Sequence, residues 1–136
     1  MNYLTEEEIL LIHYAVMGEH NDENQAGVKY EEKFEAMLAR PFTDYFGVEL
    51  FPSFFEKACC YYYTIARTHI FHNGNKRTAL SVFLVLLEIN SFELKIDDML
   101  IEDYTVKIAH EVQYRGDGAV QKIVEELDPF LVKLEV

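Results

Sequence analysis

One short run, His69-Ile70-Phe71-His72-Asn73-Gly74-Asn75-Lys76-Arg77-Thr78, gathers most of the residue types that could do chemistry in this chain. His69 directly follows an apolar segment, and an imidazole that stays neutral near pH 7 is what a general base requires. Gly74 can take a backbone conformation closed to other residues and so turn amide N–H groups toward an anion. Asn75 can cap a following helix. Lys76 offers a point charge and Arg77 a planar fork, both suited to phosphate oxygens. Phe71, between polar neighbours, is placed to anchor the loop by burying its ring. A polar, glycine-containing loop that feeds a helix N-terminus is a physical recipe for holding an anion. Composition alone nevertheless favours a plainer reading, a helix–helix turn with two solvated cations, because short motifs recur by chance.

The elements that must position this loop are apolar. Residues 54–66 precede it and residues 79–89 follow it, and both read as buried helices. In the first, Ser53 and Glu56 predict a capping box, and the helix runs to about Thr68. The second, from Lys76 to about Asn90, is apolar on all sides, which suits the middle of a bundle. Upstream, Thr5 and Glu8 predict another capping box with a Leu4–Ile9 staple. Ile9, Ile12, Ala15 and Val16 then form a stripe that runs out near Gly18. Residues 20–29 read as a loop, and a helix covers Tyr30 to Ala39 with Phe34, Met37 and Leu38 inward, closed by Pro41. Residues 43–52 form an aromatic-rich connection with room for a short helical turn. Downstream, Phe92 to Ile96 is a brief alternating segment, and Asp97 caps a helix running to about Tyr114. Gly116-Asp117-Gly118 is a turn, and Val120, Ile123, Val124 and Leu127 mark a last helix. There Pro129 either restarts or kinks the chain. The expectation is an all-α bundle of six or seven helices in a single domain over residues 1–136.

Half of the residues are hydrophobic and 14% aromatic, which excludes a disordered or fibrous chain. With a formal charge of −12, nucleic acid and anionic membrane are poor partners at long range. Any phosphate chemistry must therefore rest on a local basic spot such as Lys76-Arg77. Met1-Asn2-Tyr3-Leu4 leads straight into an acidic helix start, unlike a signal peptide. The run after Ala79 is too short, and too soon interrupted by Glu88 and Asn90, to span a bilayer. Cys59 and Cys60 are neighbours on a predicted buried helix and point to different sides, as packing residues of a reducing compartment do. A cytoplasmic location follows.

Other candidates are weaker. His13, His20 and His110 lie on separate elements without metal-ligand spacing. His72 alternates with Phe71 and is expected to face solvent. Tyr61, Tyr62 and Tyr63 diverge at helical spacing, so packing accounts for them better than a base-stacking platform.

The string His69-x-Phe71-x-x-Gly74-Asn75-Lys76-Arg77 resembles the signature of the Fic/Doc superfamily. Lysine before the arginine, where adenylyltransferases have a second glycine, resembles the Doc (death-on-curing) branch. Tyr3-Leu4-Thr5, residues 34–41 and Thr78-Ala79-Leu80 are similar to Doc-type sequence as well, so the likeness covers about Tyr3 to Val112. It implies a compact helical bundle acting on ATP. His69 would be the general base, and Gly74, Asn75, Lys76 and Arg77 would cradle phosphates. Arg67, at an often basic position, would assist. It further implies phosphoryl transfer to a hydroxyl side chain of a protein, translation elongation factor Tu in Doc proteins, and neutralisation by a small antitoxin. The Fic-type alternative is AMP transfer.

Two departures from the family pattern bear on activity. The acid that holds Mg²⁺ in the family is Asn73 here, and a neutral amide is a weaker ligand for a hard cation. Metal would then be held mainly by the nucleotide, or the protein would be a catalytically weakened binding protein of the same fold. Upstream, Gly27-Val28-Lys29-Tyr30 stands where relatives carry a Gly-hydrophobic-Arg-Asp/Asn patch. The inhibitory Ser/Thr-x-x-x-Glu-Gly/Asn string of self-restrained Fic proteins does not occur, so restraint is expected from a separate partner.

Overall fold

The computed structural model describes residues 1–135. Helix α1 (Glu6–Glu19) starts with the expected capping box: Thr5 Oγ1 accepts from the Glu8 N–H at 3.2 Å, and Glu8 Oε1 accepts from the Thr5 N–H at 2.9 Å. Its buried face is Ile9, His13, Val16 and Met17, whereas Ala15 is exposed and Ile12 half-buried. Helical turns through Ile9 bring round positions four, seven and eight residues on. A histidine occupies the first of these, which a search for apolar residues alone passes over.

Helix α2 (Glu31–Ala39) buries Phe34 and Met37. Pro41 does not end it by forcing Arg40 out of the helical region: Arg40 stays helical, and the chain tightens into a 3₁₀ turn, Arg40–Phe42. Proline fits there because the first positions of such a turn need no donor. The following connection forms a hairpin in place of a helical turn. Strands β1 (Asp44–Tyr45) and β2 (Val48–Glu49) pair antiparallel, Asp44 opposite Glu49. Phe46 and Gly47 both take positive φ between them, which is what a two-residue hairpin loop demands. Buried Lys57 holds the hairpin base, its Nζ bonding Glu49 Oε1 at 2.9 Å and the Phe51 carbonyl.

Helices α3 (Phe54–Arg67) and α4 (Asn75–Ile89) pack along each other through the centre. Tyr62 stacks on Phe83 with ring centroids 4.4 Å apart, and its hydroxyl shares a 2.5 Å hydrogen bond with Thr105. All three tyrosines 61–63 are buried, as are the free thiols Cys59 and Cys60; burial raises the Cys60 thiol to about 11. At the start of α3, Ser53 Oγ accepts from the Glu56 N–H at 3.1 Å, and only this half of the expected box forms among the described residues.

Asp97 caps α5 (Asp98–His110), accepting from the Met99 N–H at 2.9 Å. The helix ends before Tyr114: Glu111 is extended and a 3₁₀ turn, Val112–Tyr114, follows. Arg67 of α3 supplies the physical reason. Its Nη1 donates to the carbonyls of Ile108 and Glu111, both at 3.0 Å, and so satisfies the end of α5 from outside. Helix α6 (Ala119–Leu127) leads into a 3₁₀ turn, Asp128–Phe130, so Pro129 neither restarts nor kinks a helix. Strand β3 (Phe92–Leu94) then pairs antiparallel with β4 (Leu131–Lys133), closing the chain back onto the exit of α4. The architecture is all-α, six helices among the described residues with two short ribbons. Among the described residues, no helix is long and apolar enough to cross a membrane.

Candidate active site

Helix α3 ends at Thr68, and His69 then takes a left-handed backbone with φ of 54°. Non-glycine residues rarely do this, although histidine is among those that do so more often. The reversal ends α3 as a glycine would and leaves the exposed imidazole standing between two cavities. One, of about 270 Å³, is lined by His69, Asn73, Gly74, Lys76 and Arg77. The other, of about 460 Å³, lies on the α2 side with Lys33, Arg40 and Arg67. Arg67 thus stands apart from the loop cavity, with one nitrogen already committed to α5.

The loop folds around Phe71, whose ring is 1% exposed. Asn75 closes it: its side-chain oxygen accepts from the Phe71 N–H at 2.9 Å, and its side-chain nitrogen donates to the Phe71 carbonyl at 3.0 Å. Asn75 is therefore the first residue of α4 rather than its cap. Gly74 caps in its place, left-handed with φ of 71°. The first helical bond runs from the Thr78 N–H to the Gly74 carbonyl at 2.9 Å, so the amides of Asn75, Lys76 and Arg77 lack an intrahelical acceptor. Those amides and the helix dipole are features that suit an anion, and the side chain of Asn75 is engaged by the Phe71 peptide.

Gly74 is required for packing too. A Cβ there would lie 2.4 Å from Met17 Sδ in the core. Arg77 reaches back to Asp22, with Nη2 3.4 Å from Oδ2, so one acid partly neutralises this cation of the loop cavity.

Asn73 turns its oxygen inward to accept from the Gly74 N–H at 2.8 Å, and its nitrogen donates to Gln25 Oε1 at 2.7 Å. Both ends of the amide are engaged. Among the described residues no three His, Cys, Asp or Glu side chains cluster as a metal site. The donor set of the loop does not fit a protein-built Mg²⁺ site, because its side-chain amide oxygens, those of Asn73 and Asn75, are neutral and each already accepts from a backbone N–H.

The residues preceding α2 form a strap along the loop. Lys29 and Tyr30 N–H groups donate to the Ile70 carbonyl at 2.8 and 3.2 Å, and the His72 N–H donates to the Gly27 carbonyl at 3.0 Å. Val28 and Phe71 pair as an isolated bridge. The segment Gly27-Val28-Lys29-Tyr30 therefore holds the loop through main-chain atoms, which do not depend on side-chain identity.

His13 is the residue that sequence reasoning missed. Its ring is buried beneath the loop, stacked on Phe71 at 3.9 Å between centroids. Nε2 accepts from the Gly27 N–H at 2.9 Å, which puts the proton on Nδ1 for donation to Thr78 Oγ1, also at 2.9 Å. One neutral imidazole thereby joins strap, loop and α4. Burial, with help from the charges of Arg77 and His72, lowers its pKa to about 4. A four-residue spacing from Ile9, continuing to Val16 and Met17, was the available signal. His20, His72 and His110 are exposed.

The pattern of the Fic/DOC family matches residues 3–87. Toxin Doc of Mycolicibacterium smegmatis is 33% identical over 96 residues, 71% of this chain and 72% of that protein. Protein kinase doc of Escherichia phage P1 is 29% identical over 127 residues, 93% of this chain and 94% of that protein. The match covers α1 through most of α4, and with them the strap, His13, His69 and the loop. The chain belongs to the Fic/DOC family, in its Doc branch.

Proposed function

We propose that this protein is an ATP-dependent protein phosphotransferase and a toxin, acting in the cytoplasm and restrained by a small antitoxin protein. The observation that carries the reaction is the cavity shared by His69 and the start of α4. There, Asn75, Lys76 and Arg77, whose amides lack an intrahelical acceptor, line the same cavity as His69. Phosphoryl transfer asks for positioning and charge neutralisation more than covalent work by the protein, and this cavity offers both. His69 takes the proton of a target hydroxyl while the new oxygen–phosphorus bond forms to the γ-phosphorus. The bond from that phosphorus to the β,γ-bridging oxygen breaks, and ADP leaves. The relative named a protein kinase, matched over 93% of the chain, supports this choice over AMP transfer.

Translation elongation factor Tu is the target suggested by resemblance. The test incubates the protein with that factor and ATP labelled at the α or the γ phosphate. Label from the γ position, lost in His69→Ala, is expected; label from the α position alone would establish AMP transfer instead. A weakened binding protein is the second reading, favoured by the engaged Asn73 amide. It predicts growth arrest that is indifferent to His69→Ala and no Mg²⁺-dependent ATP binding in calorimetry.

A further inference from the structure

The cavity on the α2 side of His69 has an unusual electrostatic character for so acidic a chain. Lys33, Arg40 and Arg67 line it, together with Met37 and Thr64, and no Asp or Glu does so among the described residues. Each cation is held by a neutral acceptor. Lys33 Nζ donates to the Thr68 carbonyl at 3.1 Å, Arg40 Nη1 to Thr64 Oγ1 at 2.9 Å, and Arg67 Nη1 to the two carbonyls at the end of α5. The ion pairs among the described residues, Lys57–Glu49 and Arg77–Asp22, lie elsewhere. With 24 acidic residues against 12 basic ones, partners for these cations are abundant in the chain. Fixing them on carbonyls and a hydroxyl leaves their charge uncancelled and their remaining N–H donors free for an outside anion.

The geometry points to this cleft as the docking site for acidic side chains of the protein target, next to the hydroxyl that is modified. The assignment rests on the phosphotransfer reading above. His69 is the one side chain that lines both cavities with chemistry to perform. If the phosphates occupy the amide-rich side, the attacking hydroxyl must enter from the other side for in-line displacement. The chain bearing that hydroxyl then runs past Lys33, Arg40 and Arg67, which select carboxylates and reject cations.

The test uses the nucleotide-free protein and two fluorescein-labelled threonine peptides of equal length, one flanked by glutamates and one by lysines, with binding read by anisotropy. The glutamate peptide is expected to bind at least about ten-fold more tightly, a difference of about 1.4 kcal/mol. Exposed Lys33, changed to Glu, should weaken that peptide about ten-fold and leave ATP affinity within about two-fold; Lys33→Met should fall between. Thermal melts confirm that both variants fold. Equal binding of the two peptides, or no binding of either, overturns the assignment. So does an equal loss of ATP and peptide in Lys33→Glu, which would give the cleft to the nucleotide. Glutamate-selective binding without any γ-phosphate transfer would sink the proposed reaction and leave the cleft assigned.

Discussion

His13 and Phe71 stack ring on ring, 3.9 Å between centroids and 14° from parallel, with no solvent reaching the imidazole. The contact joins the first helix to the middle of the motif loop. It explains why a polar loop can lie between two of the most apolar helices: its aromatic anchor rests on a buried, fully hydrogen-bonded histidine. Both ring nitrogens are satisfied, one by the strap and one by Thr78, so burial leaves no unpaired polar atom.

That arrangement sets a pH dependence. The folded His13 has a pKa of about 4 against an ordinary value of 6.5, so between these pH values the unfolded chain binds the extra proton. Stability is complete above pH 6.5 and falls as pH drops toward 4, by up to about 3 kcal/mol from this residue. Denaturant titrations across pH 4–8 should show this slope in the wild type and a shallower one in His13→Gln.

Gly74→Ala should destabilise the fold through two separable effects. The left-handed backbone at φ of 71° costs about 1 kcal/mol with a Cβ present, and that Cβ also meets Met17 Sδ. Combining it with Met17→Ala should relieve the collision and not the backbone strain. A double-mutant cycle by thermal melting should therefore give a coupling of about 1 kcal/mol between the two sites.

His69→Gly and His69→Ala should both abolish transfer and yet differ in stability. Both remove the imidazole, but only glycine relieves the backbone at φ of 54°, so it should be the more stable by about 1 kcal/mol. Equal melting temperatures would show that the reversal at the end of α3 carries no strain.

Asn73→Asp places a carboxylate beside the loop cavity. Gln25 can turn its amide to donate to it, so stability should change by less than about 0.5 kcal/mol. Affinity for ATP with Mg²⁺ should rise by about ten-fold in calorimetry, as a hard cation prefers an anionic oxygen. No gain would place the weak point of the site elsewhere.

Asp22→Asn should free Arg77 at little cost, since a half-exposed pair at 3.4 Å contributes about 0.5 kcal/mol or less. Inorganic phosphate should then bind a few-fold more tightly, and the gain should vanish in high salt.

The sequence by itself determined the helices, because apolar spacing, the Thr5–Glu8 box and the Asp97 cap are local signals that act within one or two turns. It also located the loop, since turn residues between two buried segments need no tertiary information. Tertiary structure alone decided which polar groups meet. Asn75, a residue type that suits a helix cap, binds the Phe71 peptide while Gly74 caps α4; Arg67 holds the end of α5 through one nitrogen. Asn73 found Gln25, 48 positions away, and His13 found Thr78, 65 away. Hydrogen bonds of that span follow from how helices pack, and packing is set by the summed burial of many side chains. No local pattern around any one of these residues encodes it.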